Sequence, residues 1–462
     1  MKQNIRTSKY NLYFPLSNGK ESLLIQGILG SFDIVENRLA RLLEDERIEE
    51  IESLYGAQGI PDRLLQRGYI TAKSQEEEFA FLQRLCDRLL EKSQKSVYIT
   101  FVLTYNCNFR CEYCCERFVQ NKGEVVLEKK ITPEIVDAVF AQVEKFRANG
   151  RNVENICLFG GEPLLPQNEF IVRYICEKAD VLEIPVSCIS NGFFLRQYVP
   201  ILKEYHVKKV QITLDGDEVE HNKRRFLASG RGTYKTIVNN ISYALQEGVC
   251  ISVRTNINKK NIHQMRRLID LYAQYGWTAF DNFSYYFKAT MPCYEMIKDV
   301  CTDADLLKEI ERVFGTENMD KFQLNSVYSS LSRSLRNMLE NKGFAPLQSI
   351  YCGASGGMYD IDAFGDIYAC NDTLTDSNCI IGTVDIQNGK FVLNVNHDKW
   401  KKRSVAMISH CKNCPYLLFC GGGCAGQARL SGKDGIYSSY CMDFQKIFCQ
   451  VAVEVCEDFL SK

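Results

Sequence analysis

The feature that most constrains the fold is a regular alternation of apolar runs and helical segments between Ser96 and Ala289. The apolar runs are short and rich in β-branched and aromatic residues, whereas residues 133–147 and 234–246 have helical spacing. This alternation predicts a parallel α/β sheet, and six such units would form a partial barrel. Functional residues should then lie at the carboxyl ends of the strands. The predicted strands are residues 97–103, 155–159, 184–189, 209–214, 252–257 and 280–287.

Three cysteines follow the first predicted strand. They are Cys107, Cys111 and Cys114, in a C-x3-C-x2-C spacing. A loop this short can bring three thiolates to one iron–sulfur cluster, and three ligands leave one of four irons with an open coordination site. A substrate or a cofactor can occupy that site. Because the chain has 21 cysteines, the spacing can also arise by chance, so the motifs that follow it decide between these interpretations.

Further motifs follow the next three predicted strands. Gly160-Gly161-Glu162 comes after the second strand, Ser190-Asn191-Gly192 ends the third, and Thr213-Leu214-Asp215-Gly216 ends the fourth. Glycines let backbone groups approach a ligand closely, and a carboxylate such as that of Glu162 can accept hydrogen bonds from an ammonium group. An ordinary strand-to-helix turn is the alternative interpretation.

Together these motifs resemble those of radical S-adenosylmethionine (SAM) enzymes, over about the last four-fifths of the chain. The resemblance implies a partial (β/α)6 barrel of the TIM type and a 4Fe–4S cluster on Cys107, Cys111 and Cys114. It implies that SAM is cleaved to methionine and a 5′-deoxyadenosyl radical, which abstracts a hydrogen atom from the substrate, with an electron donor of the flavodoxin or ferredoxin type. Glu162 would contact the amino group of SAM, and Thr213 and Arg225 its carboxylate. The implied SAM-binding residues are Tyr113, Gly160, Gly161, Glu162, Ser190, Asn191, Thr213, Arg225 and Asn256.

Seven cysteines in about the last quarter of the chain form a second pattern. Pairs at C-x2-C spacing also occur in zinc ribbons, but a Cys352-x12-Gly365-x4-Cys370 spacing is not typical of them. The whole pattern resembles the SPASM extension of radical SAM enzymes, which implies two auxiliary 4Fe–4S clusters. A fourth cysteine for the first cluster is not found where some relatives have one, so either that cluster has an open iron or Cys379 completes it. The resemblance assigns Cys352, Cys370 and Cys424 to the first cluster, and Cys411, Cys414, Cys420 and Cys441 to the second.

Residues 1–94 contain a single cysteine, Cys86, and have a pattern of their own. Two alternating segments, 10–16 and 22–28, predict a β-hairpin, and helices are predicted at 36–43, 61–67 and 74–91. The resemblance favours a winged-helix-like element that binds a leader peptide as an added strand, and a packing appendage is the alternative. The predicted domains are a leader-peptide-recognition-like domain (1–94), a radical SAM barrel (95–290), a helical connector (291–345) and a loop-rich SPASM domain (346–462).

Composition excludes several classes of function. The net charge is −1 and no long run of one sign occurs, which argues against a surface for nucleic acid or an anionic membrane. The first 16 residues lack the apolar core of a signal peptide, and no run of about 18 apolar residues is present. Many cysteines without a secretion signal indicate cluster binding in a reducing compartment. We therefore expect a cytoplasmic protein with no nucleic-acid or membrane partner.

The resemblance to SPASM enzymes implies that the substrate is a ribosomally made precursor peptide. In anaerobic sulfatase maturases an Asp directly after the second motif cysteine acts as a base, whereas here Asn371 holds that position and Asp372 follows. A neutral amide cannot take a proton at pH 7, which disfavours sulfatase maturation and leaves Asp372 as a catalytic candidate. A Cys thioether crosslink is the leading product. Carbon–carbon crosslinking, another radical modification or sulfatase-maturase-like oxidation are alternatives, and an iron–sulfur sensor or scaffold is the non-enzymatic one.

Overall fold

The structure is a computed structural model that describes residues 5–114, 116, 123–290, 301–315, 324, 326–341 and 345–461. The chain divides into two compact units. One, here called the terminal unit, comprises Met1–Lys92, Val327–Cys352 and Arg403–Lys462; the other, the barrel unit, comprises Ser93–Ser326 and Gly353–Lys402. The four predicted domains stay a prediction, because each unit combines segments from more than one of them. Part of the predicted connector, residues 291–300, 316–323, 325 and 342–344, lies outside the described residues.

The described residues form the following strands and helices. The strands are β1 (Arg6–Thr7), β2 (Asn11–Pro15), β3 (Glu21–Gln26), β4 (Phe32–Glu36), β5 (Ile70–Thr71), β6 (Ser96–Val102), β7 (Asn152–Phe159), β8 (Val186–Ser190), β9 (Lys209–Thr213), β10 (Ile251–Ile257), β11 (Phe283–Ala289), β12 (Met358–Ile361), β13 (Asp366–Tyr368), β14 (Ile380–Asp385) and β15 (Lys390–Leu393). The helices are α1 (Asn37–Glu44), α2 (Ile48–Tyr55), α3 (Ile60–Gln66), α4 (Gln75–Lys95), α5 (Glu124–Glu128), α6 (Pro133–Ala148), α7 (Glu169–Val181), α8 (Leu195–Glu204), α9 (Glu218–Arg224), α10 (Tyr234–Gln246), α11 (Gln264–Gln274), α12 (Asp303–Phe314), α13 (Val327–Asn341), α14 (Val395–Lys402), α15 (Leu417–Cys420), α16 (Ala425–Ser431) and α17 (Phe444–Leu460).

The barrel unit is built on one sheet in which β6 to β11 lie side by side in chain order and run parallel. The prediction of an α/β fold with a partial barrel of parallel strands is confirmed. On the other side of β6 the sheet continues with β12, which is parallel to β6, and then with antiparallel β13, β14 and β15. The sequence pattern did not predict these last four strands, although they extend the barrel sheet directly.

The barrel strands have an apolar face and a polar face. Phe101 of β6 stacks on Phe140 of α6 at 6.1 Å between ring centroids, so this face of β6 packs against the helices. Because side chains alternate along a strand, Thr100 lies on the opposite face. Thr100 is in register with Asp360 of β12, which places a carboxyl group on that polar face as well. The polar face inside the curved sheet is therefore where the candidate site is expected.

The terminal unit contains the antiparallel sheet β2–β3–β4, whose first two strands form the predicted hairpin. The turn is made by Asn18, whose Oδ1 accepts from Lys20 N–H at 2.9 Å, and by Gly19 at φ +68°. The helix predicted at 74–91 is α4, and a capping box opens it: Glu77 N–H donates to Ser74 Oγ at 3.2 Å, and Ser74 N–H donates to Glu77 Oε2 at 2.8 Å. Strand β4 was not predicted from the sequence, and it is the edge strand of the sheet.

Within the terminal unit, one apolar core joins the two ends of the chain. It contains residues near the N-terminus and residues of the cysteine-rich C-terminal segment; its buried members are Tyr10, Ile28, Leu82, Cys86, Val405, Ile408, Cys411, Leu417 and Leu418. A second core lies between the sheet and α1 to α3 and includes Leu24, Leu43 and Tyr69. Among the described residues, no helix combines the length and apolarity needed to cross a membrane.

Candidate functional site

The three predicted cluster cysteines lie on the loop that follows β6, at the carboxyl end of the parallel strands. Residues 224–228 hold this loop through backbone bonds, in which Arg110 N–H donates to Phe226 O and Ala228 N–H donates to Asn108 O, both at 2.9 Å. The loop conformation is therefore set by its neighbours in the barrel unit.

Gly160 and Gly161, which follow β7, lie directly against the backbone of the cysteine loop. Gly161 N–H donates to Thr104 O and Glu162 N–H donates to Asn106 O, both at 2.9 Å. A Cβ on Gly160 would lie 2.4 Å from Thr104 O, and one on Gly161 would lie 2.4 Å from Asn106 O. From the sequence, these glycines make room for a ligand; in the structure they make room for the cysteine loop, and this brings Glu162 beside it.

Glu162 is held by three hydrogen-bond donors although it is only 1% exposed. Its Oε1 accepts from Ser190 Oγ–H at 2.7 Å and from Leu164 N–H at 2.8 Å, and its Oε2 accepts from Asn191 N–H at 2.7 Å. Burial raises the pKa of Glu162, and these donors partly offset that rise. A carboxylate has about four lone-pair sites, so one remains for a further donor such as an ammonium group. The structure thus brings Glu162, Ser190 and Asn191 together as the sequence predicts.

The hydroxyl of Tyr113 is the centre of a second polar group. It accepts from Arg225 Nη1 at 2.7 Å and from Asn256 Nδ2 at 3.2 Å, and it donates to Asp215 Oδ2. Asp215, which is fully buried, also accepts from Asn256 N–H at 2.9 Å through Oδ1. Side chains from the cysteine loop, from β10 and from residues after β9 and α9 therefore converge on one point. Thr213, the last residue of β9, is 7% exposed and lies next to this group in the chain.

His221 is a structural residue in this site. Its Nδ1 accepts from Asp215 N–H at 3.3 Å, and its Nε2 lies 3.1 Å from Thr233 Oγ1. Burial, with the charges of Arg225 and Arg224 as a smaller cause, lowers the pKa of His221 well below its ordinary value. A neutral imidazole with both nitrogens occupied does not exchange protons with a substrate.

The residues of the cysteine loop fit an iron–sulfur cluster with SAM. Burial raises the pKa of each of the three thiols, Cys107, Cys111 and Cys114. The pKa of Cys114 rises to about 12. Charged neighbours in the site also act on each of these pKa values. For Cys111 the main neighbour is Arg225, which favours the thiolate that a cluster requires. Arg225 Nε and Asn108 Nδ2 are buried and have no hydrogen-bond partner among the described residues. The carboxylate, hydroxyl and adenine groups of SAM are the kinds of acceptor that such donors need.

Asp372 and Arg254 lie close enough for the charge of Arg254 to act on the Asp372 carboxyl group. Asp372 belongs to the short 3-10 helix Asn371–Thr373, directly after Cys370. Burial raises the pKa of Asp372, and the charge of Arg254 offsets part of that rise. Arg254 is in register with Thr213 of β9, which places it at the carboxyl end of the strands. Asp372 is thus within range of the charges of Arg254 and Asp360, and its catalytic role stays a prediction.

Two buried acidic residues were not found from the sequence. Asp360 of β12 is 0% exposed, and neither of its carboxylate oxygens has a partner of good geometry in the described ranges, although Thr100 lies beside it. Burial raises the pKa of Asp360 to about 7. Glu116, two residues after Cys114, is 6% exposed, and its Oε1 has no partner within the part of the chain that the structure describes; burial raises its pKa to about 8. No periodicity or motif singles out either residue; only the fold shows that they are buried.

In the terminal unit, four of the C-terminal cysteines lie near one another. Burial, and then the thiols of Cys420, Cys414 and Cys441, raise the pKa of Cys411 to about 12. Burial and the neighbouring thiols of Cys441 and Cys414 likewise raise the pKa of Cys420 to about 12. These mutual effects require proximity, so the four thiols lie within range of one another's charge, and their role as ligands of a second auxiliary cluster stays a prediction. Among the residues that the structure describes, no three His, Cys, Asp or Glu side chains are close enough to share one metal ion; in a cluster each thiolate binds a different iron.

The cysteines predicted for the first auxiliary cluster are divided between the units. Cys352 and Cys424 belong to the terminal unit, and Cys370, which is 7% exposed, belongs to the barrel unit. Cys379, the alternative fourth ligand, is also in the barrel unit, is 2% exposed and donates its S–H to Asp376 Oδ2 at 3.6 Å. The ligand set of this cluster therefore stays a prediction.

Comparison with known proteins finds a radical SAM domain within the barrel unit. The sequence model of the Radical SAM superfamily matches residues 101–272. A cysteine-type anaerobic sulfatase-maturating enzyme of Clostridium novyi is 23% identical over 364 residues, which are 74% of this chain and 91% of that protein. A GTP 3′,8-cyclase of Campylobacter jejuni is 24% identical over 169 residues, which are 36% of this chain. The aligned region spans only 47% of that cyclase, about half its length.

Solved structures show a similar fold. A structure of native anSMEcpe with bound AdoMet covers 79% of this chain and 100% of its own, with a TM-score of 0.59 and 16% identity. A structure of Streptococcus suis SuiB bound to the precursor peptide SuiA covers 93% of this chain and 98% of its own, with a TM-score of 0.54 and 16% identity. At these identities the likeness concerns the fold.

Proposed function

Because the chain contains a radical SAM domain, we propose that it is a peptide maturase that cleaves SAM reductively and installs a crosslink, preferentially a Cys thioether, in a ribosomally made precursor peptide. The observation that carries this proposal is the second group of neighbouring thiols, that of Cys411 and Cys420, in addition to the loop of Cys107. Joining a thiol sulfur to a carbon removes two hydrogen atoms. A radical takes one as an atom; the other leaves as a proton and an electron, and that electron needs an acceptor such as an auxiliary cluster.

In this proposal the residues around the cysteine loop bind SAM. Bound together, the cluster and SAM supply a one-electron reduction that yields a hydrogen-abstracting 5′-deoxyadenosyl radical. Glu162 accepts from the ammonium group of SAM, because its three donors hold it in place and leave acceptor capacity. Arg225, whose Nε has no partner, binds the carboxylate together with Thr213, and Tyr113 and Asn256 complete the wall of the site. Burial excludes water from these contacts and strengthens them.

Asp372 is the proposed base for the thiol proton. Its pKa is raised by burial, so it binds a proton more readily than an exposed aspartate does. Arg254 keeps it ionised in part by its positive charge. Asn371, directly after Cys370, cannot take this role because an amide does not accept a proton at neutral pH.

Recognition of the precursor is proposed for the terminal unit. Strand β4 is an edge strand of its sheet, so an extended peptide can add to it through backbone bonds. Next to β4 lies an apolar cavity of about 240 Å³ between the sheet and helices α13 and α17. It is smaller than typical pockets of roughly 300–1,000 Å³ for small molecules, which suits a single apolar side chain of a peptide. Residues from each element line it; they include Phe32, Ile34, Leu335, Leu339, Ala452 and Val455.

The relatives support a peptide substrate. SuiB was solved with its precursor peptide SuiA, and anSMEcpe with a Cp18Cys peptide. The likeness to SuiB covers 93% of this chain, and residues 1–92 are about a fifth of it, so that likeness includes part of the N-terminal segment. We propose the corresponding setting for this protein: a cytoplasmic enzyme with two auxiliary clusters, reduced by a flavodoxin or ferredoxin.

The proposal is tested with anaerobically reconstituted protein, SAM, a reductant and candidate precursor peptides encoded beside the gene. Expected products are 5′-deoxyadenosine and a peptide that has lost two hydrogen atoms per crosslink and one alkylatable thiol. Tandem mass spectrometry locates the bond. Carbon–carbon crosslinking gives the same mass loss with the thiol retained. Intact SAM after reduction of iron-loaded protein would exclude the enzyme and leave the iron–sulfur sensor.

Precursor recognition is tested by filling the cavity. Ala452→Trp should weaken leader-peptide binding in fluorescence anisotropy and leave peptide-independent SAM cleavage unchanged, because Ala452 lines the cavity of the terminal unit. Leu54→Trp, at an exposed position of α2 that does not line the cavity, is the matched control. Equal leader affinity in both variants would place the peptide elsewhere.

Sulfatase maturation is the second candidate, favoured by the similarity to the Clostridium novyi enzyme over 91% of that protein. Its test is oxidation of a Cys-containing sulfatase peptide under the same conditions. That product lacks a crosslink and has an aldehyde, which a hydrazide probe detects. Formation of the aldehyde at a rate above that of any crosslink would favour this function. The base would then have to be a residue other than Asn371, because an amide does not accept a proton at neutral pH.

A further inference from the structure

Arg403 is a buried positive charge in the cysteine-rich part of the terminal unit. It is 1% exposed, and its guanidinium donates from Nη2 to Gly422 O at 3.3 Å and to Ser438 O at 3.2 Å, and from Nε to Ile436 O. Among the described residues no carboxylate forms an ion pair with it. Neutral carbonyl groups satisfy its donors, but they do not balance its charge, and an unbalanced buried charge is costly.

Among the described residues, the acidic groups whose charge acts on Arg403 are cysteine thiols, and the loops that hold Arg403 carry some of them. Burial lowers the pKa of Arg403, and the thiols of Cys352, Cys411, Cys424 and Cys420 oppose that change. Two of these cysteines belong to each predicted auxiliary cluster. The carbonyl partners lie on the same loops: Gly422 is between Cys420 and Cys424, and Ser438 is three residues before Cys441.

A bound cluster would supply the missing counter-charge. Protonated thiols are neutral, whereas a 4Fe–4S cluster with thiolate ligands is an anion. Reduction of such a cluster adds one electron and no proton, so its negative charge grows by one. A permanent cation fixed in a buried, weakly screened position stabilises the more negative state and raises the reduction potential.

We propose that Arg403 is the shared counter-ion of the two auxiliary clusters and raises the reduction potential of both, so that they accept the electron released by bond formation. This proposal rests on the proposed function, because it requires that the auxiliary clusters exist. Arg403 is a positioning residue in this role, because it acts through the clusters and the loops that carry their ligands.

The test is a redox titration of the full-length, anaerobically reconstituted protein, followed by electron paramagnetic resonance. A background with Cys107, Cys111 and Cys114 replaced by Ala removes the signal of the SAM-binding cluster. Iron and sulfide are quantified for every variant before titration. Arg403→Met removes the charge at similar length, and Arg403→Lys keeps the charge but loses the planar fork. Lys412→Met removes an exposed charge directly after Cys411 and is the matched control.

Arg403→Met is expected to lower the equilibrium constant for reduction of the auxiliary clusters at least tenfold, which is about 59 mV for a one-electron couple. The reduction potential of Arg403→Lys should stay closer to that of the unmodified background. Lys412→Met should change the potential little, because water screens the charge of Lys412. Iron-loaded Arg403→Met with the potential of Lys412→Met would overturn the proposal.

The Lys variant decides the matter if Arg403→Met does not retain iron. Iron-loaded Arg403→Lys with a potential near that of the background supports the charge effect, whereas a tenfold or larger fall despite the retained charge would overturn it. If the background that retains Arg403 shows no paramagnetic signal from an auxiliary cluster, the auxiliary clusters themselves are refuted, and with them the proposed function. This outcome differs from a failure of the Arg403 proposal alone, in which the clusters are present and their potential does not depend on the charge.

Discussion

Replacement of Glu162 by Gln isolates the contribution of one carboxylate to SAM binding. Gln has nearly the same shape, so the Gly160-Gly161 turn and its contacts with the cysteine loop remain possible. The amide can keep its oxygen at the Oε1 position, where Ser190 and Leu164 donate. Its NH2 group then faces Asn191 N–H, which loses the acceptor it now has at 2.7 Å.

The magnitudes favour a selective loss of SAM affinity. An unsatisfied buried donor costs about 1–3 kcal/mol, but Glu162→Gln also relieves the burial of a charge, which now raises the pKa of Glu162. These two effects on folding oppose one another. The hydrogen bond from the ammonium group of SAM to a carboxylate is worth about 1.5–3 kcal/mol, and nothing offsets its loss. At about 1.4 kcal/mol per tenfold, SAM should bind about 10- to 150-fold more weakly.

The assay is equilibrium binding of SAM to iron-loaded protein, with 5′-deoxyadenosine formation at saturating SAM as the second measurement. Ser190→Ala is the control, because it removes one neutral donor to Glu162 at 2.7 Å and leaves the charge. About 1 kcal/mol, or roughly a fivefold weakening, is expected for it. Equal affinities for the unmodified protein and Glu162→Gln, with equal iron content, would refute the role given to Glu162.

Three further substitutions test other parts of the site. Gly161→Ala should lose iron at the cysteine loop in metal analysis, because its Cβ would lie 2.4 Å from Asn106 O; retention of iron would show that the loop can move away. Asp372→Asn should keep SAM cleavage but lower the ratio of crosslinked peptide to 5′-deoxyadenosine by a factor of about 10²–10⁴, as expected for loss of a general base. In the unmodified protein, crosslinking should fall as pH drops through the raised pKa of Asp372. Asp360 has a folded-state pKa of about 7, above its ordinary value, so its contribution to stability is present below about pH 4 and is lost as pH rises through 7. Asp360→Asn should therefore raise the free energy of unfolding at pH 8 by up to about 4 kcal/mol and leave it nearly unchanged at pH 4, and an equal effect at both pH values in urea titrations would contradict this.

The barrel strands were predictable because each is a short apolar run followed by a motif. The predicted and observed bounds of helix 234–246 coincide, and those of β9 and β10 differ by one residue at one end. Buried parallel strands read as continuous apolar segments, and the helices between them have a strong period. The Gly-Gly-Glu motif could be placed beside the cysteines for the same reason, since both follow strands of one parallel sheet.

The remaining features depend on pairing between distant residues. Strands β12 to β15 have three to six residues each, and nothing local shows that β12 pairs with β6 some 260 residues earlier. The network around Tyr113 joins residues 102 to 143 positions apart. Asp360 and Glu116 look like ordinary surface acids in the sequence, and only the fold determines that they are buried.

The shared core of the terminal unit links its two proposed functions physically. Tyr10 O–H donates to Lys412 O at 2.8 Å, next to Cys411, and a Cβ on Gly27 would lie 2.0 Å from Pro415 O. The hairpin that carries the edge-strand sheet is thus packed against the loop that carries the four neighbouring thiols. Metal binding to such a loop contributes directly to the free energy of folding of the elements packed on it. In the proposed function, a cluster bound at Cys411 would therefore stabilise the hairpin that carries the edge-strand sheet, so we expect precursor affinity to rise with iron occupancy of the auxiliary site.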